Sequence, residues 1–431
     1  MKFLLTLWPF ETHLHPNLAL AHALREAGHE VAFYTGDRAR NTLAAENFRH
    51  FPFREVDQGH FERVMDSILA GRARPWRLRK IWSEFLVGSV PAQIQDLRQV
   101  LEHWPPDVIV CDMAMWGPIV VLGETTGIPI AVFSHVGYCM LPGPDGPLPG
   151  ISLPRSRNLG IRAGAWFVSR AVRLMTAIVA KDADKVRSAF GLRPLGMRIT
   201  EYFGKLPLYL IPSTPEFDYE RPDLPSSVHY LGPCLWPPLP SFEETRGHAQ
   251  VQVVVHEGTF YTPKPSLLRA AVQGLARLPF DVRIFAGKGR DLSHLELAPA
   301  ADNIHLHEWR PLSEVIRCCD LLVTNGNTEL ALGALTCAVP LVVVPSTLDQ
   351  SEMAWRVQES GAGIRLSERR CTPERLRQAV QSILDDRSYL DQARRLAGCF
   401  TQYGGVERAV ALLTGVAKRG NKHNCERPCS N

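Results

Sequence analysis

No run of about twenty uncharged apolar residues, the length a membrane-spanning helix needs, occurs in the chain. The best candidate, "VIVCDMAMWGPIVVLG", is interrupted by Asp112. Net charge is also scarce: 48 Lys and Arg against 44 Asp and Glu leave +4 over 431 residues, too little to argue for nucleic acid as a partner. The ten cysteines stand singly apart from Cys318-Cys319 and a terminal "HNCERPC", so no disulfide framework is expected. The N-terminus lacks the charged, apolar and small-residue order of a secretion signal, and buried or free thiols in a reducing cytoplasm are expected. His423, Cys425 and Cys429 supply three candidate ligands where a structural zinc site takes four, which favours an unstructured tail. The Asp182-x-Asp184 pair lies in a charged, helix-like stretch and reads as a solvated face rather than a magnesium site. No metal or other cofactor is expected.

What is present is a globular composition, 45% hydrophobic and 21% charged, in a chain long enough for two or at most three domains. One basic run, "GRARPWRLRK", gathers Arg72, Arg74, Arg77, Arg79 and Lys80 around Trp76, and a solvated face is its expected role. The apolar periodicity predicts a β-strand at "KFLLTLW", a loop, a helix over "NLALAHALREAG" ended by Gly28, and a second strand "EVAFYTG". Strands at "DVIVCD" and "IPIAVFS" follow, with helical insertions at "PWRLRKIWSEFLVGSV" and "AWFVSRAVRLMTAIVAKDADKVRSAFG". After the proline-rich "GPCLWPPLPSFEETRGHAQ" the alternation restarts at "VQVVVHEGTF" and runs to "PLVVVP". This order predicts an α/β fold of two doubly wound parallel-sheet domains facing across a cleft. The expected limits are an N-terminal domain over 1–235, a linker over 236–249, a C-terminal domain over 250–395, a helix over 396–418 returning to the N-terminal domain, and a disordered tail over 419–431.

Several segments, taken in order, resemble the nucleotide-sugar-dependent glycosyltransferases of the GT-B fold, in particular the macrolide and natural-product group related to the UDP-glycosyltransferases. They are "HLHPNLALAHALREAGHEVAFYTG", "IPSTPEFDYERPDLPSSVHYLGP", "EGTF", "EWRPLSEVIRCCDLLVT", "AVPLVVVPSTLDQ" and "RVQESGAGIRL". The resemblance implies an inverting transfer from a UDP- or TDP-sugar to a hydroxyl of a hydrophobic acceptor. It places the catalytic histidine at the head of a His-x-x-Pro motif, here His13, and its aspartate at the end of a later strand, here Asp112. His15 then reads as a loop neighbour.

The chemistry suits the first two. An acceptor hydroxyl attacks poorly until a base takes its proton, imidazole titrates near neutrality, and a carboxylate can hold the tautomer and stabilise the imidazolium. From the residues alone, Asp112 could equally cap the following helix and His13 lie solvated in a loop.

In the donor half the resemblance points to Gly258 and Thr259 for the phosphates, Trp309 with Arg310 at the nucleobase, and Asp349 and Gln350 for the sugar hydroxyls. There the chain also departs from the family. Where relatives carry His-Gly-Gly-x-Gly-Thr-x-x-Glu, the sequence reads "NGNTELALG": Asn325, Gly326, Asn327 and Thr328 replace the start of the motif and Gly333 the ribose-binding glutamate, while Leu312 replaces a glutamine after Trp309. The expectation is that helix N-terminal amides still hold the diphosphate, with the Asn325 side-chain oxygen capping the helix and its amide N–H2 turned to phosphate. Trp8, Phe10, Trp116, Phe133 and Tyr138 form an aromatic set near the proposed base, and core packing is the expected role of most of them. Two other functions fit the same sequence, a sugar-nucleotide epimerase and a non-catalytic relative that binds a partner.

Overall fold

The computed structural model describes residues 1–69, 83–134, 141–143, 159–218, 221, 224–239, 250–259, 261, 264–291, 301–346 and 348–425. The first half builds a seven-stranded sheet from β1 (Lys2–Thr6), β2 (Glu30–Thr35), β3 (Arg49–Pro52), β4 (Val108–Asp112), β5 (Ile130–Phe133), β6 (Leu208–Ile211) and β7 (Val228–Tyr230), in the order β3-β2-β1-β4-β5-β6-β7. The second half builds a six-stranded sheet from β8 (Gln252–His256), β9 (Asp281–Phe285), β10 (Ile304–His307), β11 (Leu321–Thr324), β12 (Leu341–Val343) and β13 (Gly363–Arg365), in the order β10-β9-β8-β11-β12-β13. Every pairing is parallel. A parallel sheet is covered on both faces, so its central strands must be apolar on both sides. In β1, Phe3 and Leu5 enter one buried cluster and Leu4 the other, as the two-residue pleat requires.

In both sheets the strand order reverses beside the first strand: β1 lies between β2 and β4, and β8 between β9 and β11. Connections leave such a point toward opposite faces and open a crevice at the carboxyl ends of the strands. Thr6 pairs with Cys111, which sets Asp112 at that edge, directly beside the loop leaving β1.

The segment that the sequence pattern assigns to a loop is helical. Helix α1 runs from Glu11 to Glu26 and contains both His13 and His15. Pro16 cannot donate a hydrogen bond to the preceding turn, and the turn is held by other contacts. Phe10 O accepts from His13 N (3.0 Å) and Leu14 N (2.8 Å), and the buried Asn17 side chain donates to His13 O (2.8 Å). At its far end the helix stops at Gly28, whose φ of +80° is the left-handed conformation that favours glycine there.

The helix Ser388–Thr401 packs against the helix Thr328–Thr336 of the second half. The chain then crosses back, and the helix Gly405–Cys425 buries Ala409, Leu413, Val416 and Ala417 in one cluster with Leu14, Leu18, Ala21 and Leu24 of α1. Each fully buried large aliphatic side chain contributes about 1.5–3 kcal/mol, so this contact ties the end of the chain to the first domain. The returning helix thus begins after residue 396 and runs beyond 418.

Where the halves meet, Phe217 packs on Phe400 with ring centroids 6.0 Å apart. Gly232, at φ +81°, lies so close that a Cβ would come within 2.5 Å of Phe400 O. Beside them Arg356, 1% exposed, donates to Asp218 (2.8 and 3.0 Å) from Nη2 and Nε and to Glu352 (2.7 Å) from Nη1, and Tyr230 Oη donates to Asp218 (2.7 Å). Taking a guanidinium out of water costs several kcal/mol, which only close pairing offsets. Arg356→Ala removes the cation shared by two buried carboxylates and is expected to lower unfolding free energy by about 3–5 kcal/mol, measured by chemical denaturation. Arg356→Met combined with Asp218→Asn and Glu352→Gln is expected to recover much of that loss.

Candidate active site

Asp112 is the last residue of β4 and is completely buried. Its Oδ1 accepts from Ala114 N at 2.9 Å and its Oδ2 pairs with His13 Nδ1. The capping contact and the contact to the histidine therefore coexist, one on each carboxylate oxygen. The Phe10 ring lies edge-on to the His13 ring at 5.2 Å. Two residues on a helix stand roughly 200° apart around its axis, so His13 and His15 cannot share a face. One turns to its own sheet and the other to the opposite domain.

His15 is accordingly more than a neighbour of His13. Its Nδ1 is 3.0 Å from both Oε1 and Oε2 of Glu329, in the second half of the chain. A second ion pair crosses beside it, from Lys288 Nζ to Glu11 in the first turn of α1. Burial by itself lowers the pKa of His15. The hydrogen bond that His15 donates to Glu329, the charge of that carboxylate and that of Glu11 outweigh this and the opposing charge of Lys288, and the pKa is raised. Neither pair has a sequence signal, because each joins residues 277 or more positions apart.

The residues expected on the donor side do not all meet at one point. Gly258, Asn325, Gly326, Asn327 and Gln350 converge: a Cβ on Gly258 would stand 3.3 Å from Asn327, and one on Gly326 would stand 3.0 Å from Gln350 O. Buried His256 fixes the first of these turns. Its Nε2 donates to Arg310 O (2.7 Å) and its Nδ1 accepts from Gly258 N (2.9 Å), an arrangement only the neutral ring can make, and burial pulls its pKa down to about 4. Next to it Glu257, buried against Arg290 Nε at 2.8 Å, has its pKa raised by burial despite that guanidinium. Trp309 joins this group through Lys288, whose ammonium lies 4.7 Å from the indole ring centroid and whose backbone N–H donates to Gly258 O at 3.1 Å. The indole N–H of Trp309 and the Thr259 hydroxyl are buried atoms with no hydrogen-bond partner among the described residues. Arg310 contributes its carbonyl, while its exposed side chain lies 3.7 Å from Glu314. Asp349 is half-buried in the first turn of the helix Leu348–Glu359. The Gln350 Oε1 accepts from Ser346 N (3.0 Å) and Oγ (2.8 Å).

The expected roles of Asn325 and its neighbour change. Asn327, not Asn325, caps the helix Thr328–Thr336, its Oδ1 accepting from Glu329 N (3.0 Å) and Leu330 N (3.3 Å). Buried Asn325 instead donates from Nδ2 to Glu257 O and accepts Asn327 N at Oδ1 (3.2 Å), tying the loop after β11 to the loop after β8. Its amide is thus turned into the protein. The reason is local: Asn327 stands one residue before the helix, where its side chain reaches the orphan amides, whereas Asn325 stands at the strand end.

Trp8, Phe10, Trp116 and Phe133 are core residues, and Tyr138 lies outside the described residues, as do the basic run over 72–80 and Cys429. Asp182 accepts from Ser83 Oγ (2.8 Å) and pairs with Lys185, while Asp184 accepts from Leu195 N (2.7 Å). Among the described residues, no group of three His, Cys, Asp or Glu could hold a metal ion, and no helix is long and apolar enough to cross a membrane.

Two family profiles match the chain: the Erythromycin biosynthesis protein CIII-like C-terminal domain over residues 275–400, and a glycosyl transferase 4-like domain over residues 17–196. The 4'-demethylrebeccamycin synthase of Lentzea aerocolonigenes is 30% identical over 434 residues, covering 96% of this chain and 99% of its own. Among solved structures, the glycotransferase of kitacinnamycin superposes with a TM-score of 0.75 at 20% identity over 96% of this chain and 98% of its own. The spinosyn rhamnosyltransferase SpnG complexed with thymidine diphosphate does so with a TM-score of 0.67 at 19% identity over 96% and 99%.

The raised pKa of His15 has a direct consequence for stability. A group whose pKa is higher folded than unfolded stabilises the folded state fully below its unfolded value, about 6.5, and loses that contribution as pH rises through the folded value. His15→Gln is therefore expected to lower the thermal midpoint relative to wild type at about pH 6 or below. The two midpoints should converge as pH is raised through and beyond the folded value, a comparison readable by scanning calorimetry.

Proposed function

The chain belongs to the natural-product glycosyltransferases of the GT-B fold, and we propose that it inverts configuration while moving a sugar from a nucleoside-diphosphate donor, TDP- or UDP-linked, to a hydroxyl of a hydrophobic small-molecule acceptor. The observation that carries this reading is the pairing of His13 with the buried Asp112 at the switch point of the first sheet. In the tautomer that donates from Nδ1 to Asp112, the His13 Nε2 bears the lone pair. It takes the proton of the acceptor hydroxyl as the oxygen forms its bond to the anomeric carbon. The bond from that carbon to the diphosphate breaks, and the electron pair leaves with the nucleoside diphosphate. One displacement inverts the centre.

Asp112 acts through His13. Its carboxylate, fixed by Ala114 N, stabilises the imidazolium formed as the proton arrives. Opposite, Trp309 offers an aromatic face and an indole N–H to the nucleobase, and the Thr259 hydroxyl and Gly258 turn are the groups assigned to the phosphates in this reading. The thymidine diphosphate complex of the spinosyn relative supports a TDP-linked donor.

His13→Ala is expected to abolish transfer with TDP- and UDP-sugar panels, followed by release of free nucleoside diphosphate, while calorimetric affinity for thymidine diphosphate stays within about 2-fold, since the base belongs to the acceptor half. Undiminished turnover would remove His13 from the mechanism. Asp112→Asn keeps a hydrogen-bond acceptor but offers no charge, and kcat is expected to fall by about 10^2- to 10^4-fold with a much smaller change in donor KM.

A further inference from the structure

The amides at the start of the helix Thr328–Thr336 are largely spoken for. Asn327 Oδ1 accepts those of Glu329 and Leu330, Asn325 Oδ1 accepts that of Asn327, and Thr324 Oγ1 accepts that of Gly326 at 3.4 Å. Glu329 adds a carboxylate in the first turn. That charge suits the helix dipole but repels a diphosphate. A doubly charged ligand entering here must find its counter-charge elsewhere. Two hydrogen-bond donors are already at the cleft, each held by a carboxylate of the opposite domain: the His15 imidazole by Glu329, and the Lys288 ammonium by Glu11. Lys288 also lies over Trp309, and its backbone N–H donates to Gly258 O, one residue before Thr259; the buried indole N–H and Thr259 hydroxyl have no partner among the described residues.

We propose that His15 is a donor-binding residue of the acceptor domain, and that the Glu329 carboxylate holds the place of the donor diphosphate until the nucleotide-sugar displaces it and takes over the hydrogen bond from His15. The proposal rests on the reading of this cleft as the nucleoside-diphosphate site. The exchange is a ligand swap with no covalent change: the imidazole keeps its proton and trades one anionic oxygen for another. His15 faces Glu329, Glu11 and Lys288, so its proton is retained by two carboxylates before the donor arrives and by phosphate afterwards. Lys288 undergoes the same exchange on the other side, leaving Glu11 for the diphosphate. Donor binding thereby changes which groups join the two domains: before it, carboxylate meets cation directly, and after it, the diphosphate joins His15 of one domain to Lys288 of the other.

The test is calorimetric titration of thymidine diphosphate, uridine diphosphate and the nucleosides thymidine and uridine into the wild type, Glu329→Gln, His15→Gln and the double variant, each checked for wild-type circular dichroism. Glu329→Gln is expected to tighten diphosphate binding by about 3- to 30-fold by removing a like charge. His15→Gln is expected to weaken it by about 10-fold or more, the loss of a hydrogen bond to a charged group. Nucleoside affinity should not move in either variant. The deciding comparison is the double variant: if His15 touches the diphosphate, its loss must still weaken binding when Glu329 is already gone. Equal affinity of Glu329→Gln and the double variant would overturn the role of His15, and unchanged or weaker binding by Glu329→Gln would overturn that of Glu329. Failure of every protein, wild type included, to bind either diphosphate overturns the reading of the cleft and the proposal with it, an outcome distinct from binding that is insensitive to the substitutions.

Discussion

The structure depends on one constraint: parallel strands all end at the same edge. Because β1 to β7 run in one direction and β8 to β13 do likewise, each domain can present chemistry at one rim, at the point where its strand order reverses. Asp112 lies at that point in the first sheet and the Gly258 and Asn325 turns at the matching point in the second. Hydrophobic burial fixes the sheets, the sheets fix the rims, and the rims place an acid-supported imidazole opposite an aromatic and cationic surface.

The interface between the halves is graded in strength. Around Arg356 it is buried and specific, with the guanidinium and its partner carboxylates no more than 4% exposed, backed by Phe217 against Phe400. A buried pair of this kind is costly to separate. At the cleft, Lys288 is 47% exposed and Glu11 32%, where water screens the attraction and an ion pair contributes little. Motion is therefore expected to concentrate at the exchangeable end, with the Arg356 end as its fulcrum, as in hinge closure around a ligand.

The sequence made the architecture legible because doubly wound domains repeat one short apolar strand and one amphipathic helix many times, and periodicity reports both. His13 and Asp112 were also legible, since each stands at the end of a recognisable strand or in a short motif. What could not be read was anything decided between distant segments. His15 looked idle because its partner, Glu329, is more than 300 positions away. The sequence points to Asn325 as the helix cap where Asn327 holds that place, because both are good capping residues and the choice turns on where β11 ends and the helix begins. The first turn of α1 was missed because a proline normally argues against helix, and the compensating bond from Asn17 is invisible without coordinates.

The return of the last helix to the first domain bears on how the molecule is made. The cluster around α1 is completed by Ala409, Leu413, Val416 and Ala417, residues synthesised after the entire second sheet. On a chain emerging N-terminus first at about 5–20 residues per second, Leu14, Leu18 and Leu24 stay without their final cover for tens of seconds while the second domain folds behind them. Completion of the first domain thus waits until the whole second sheet has been synthesised. A chain cut short before residue 405 would retain a folded second domain beside a first domain with a bare leucine face, a species prone to association or to capture by a chaperone.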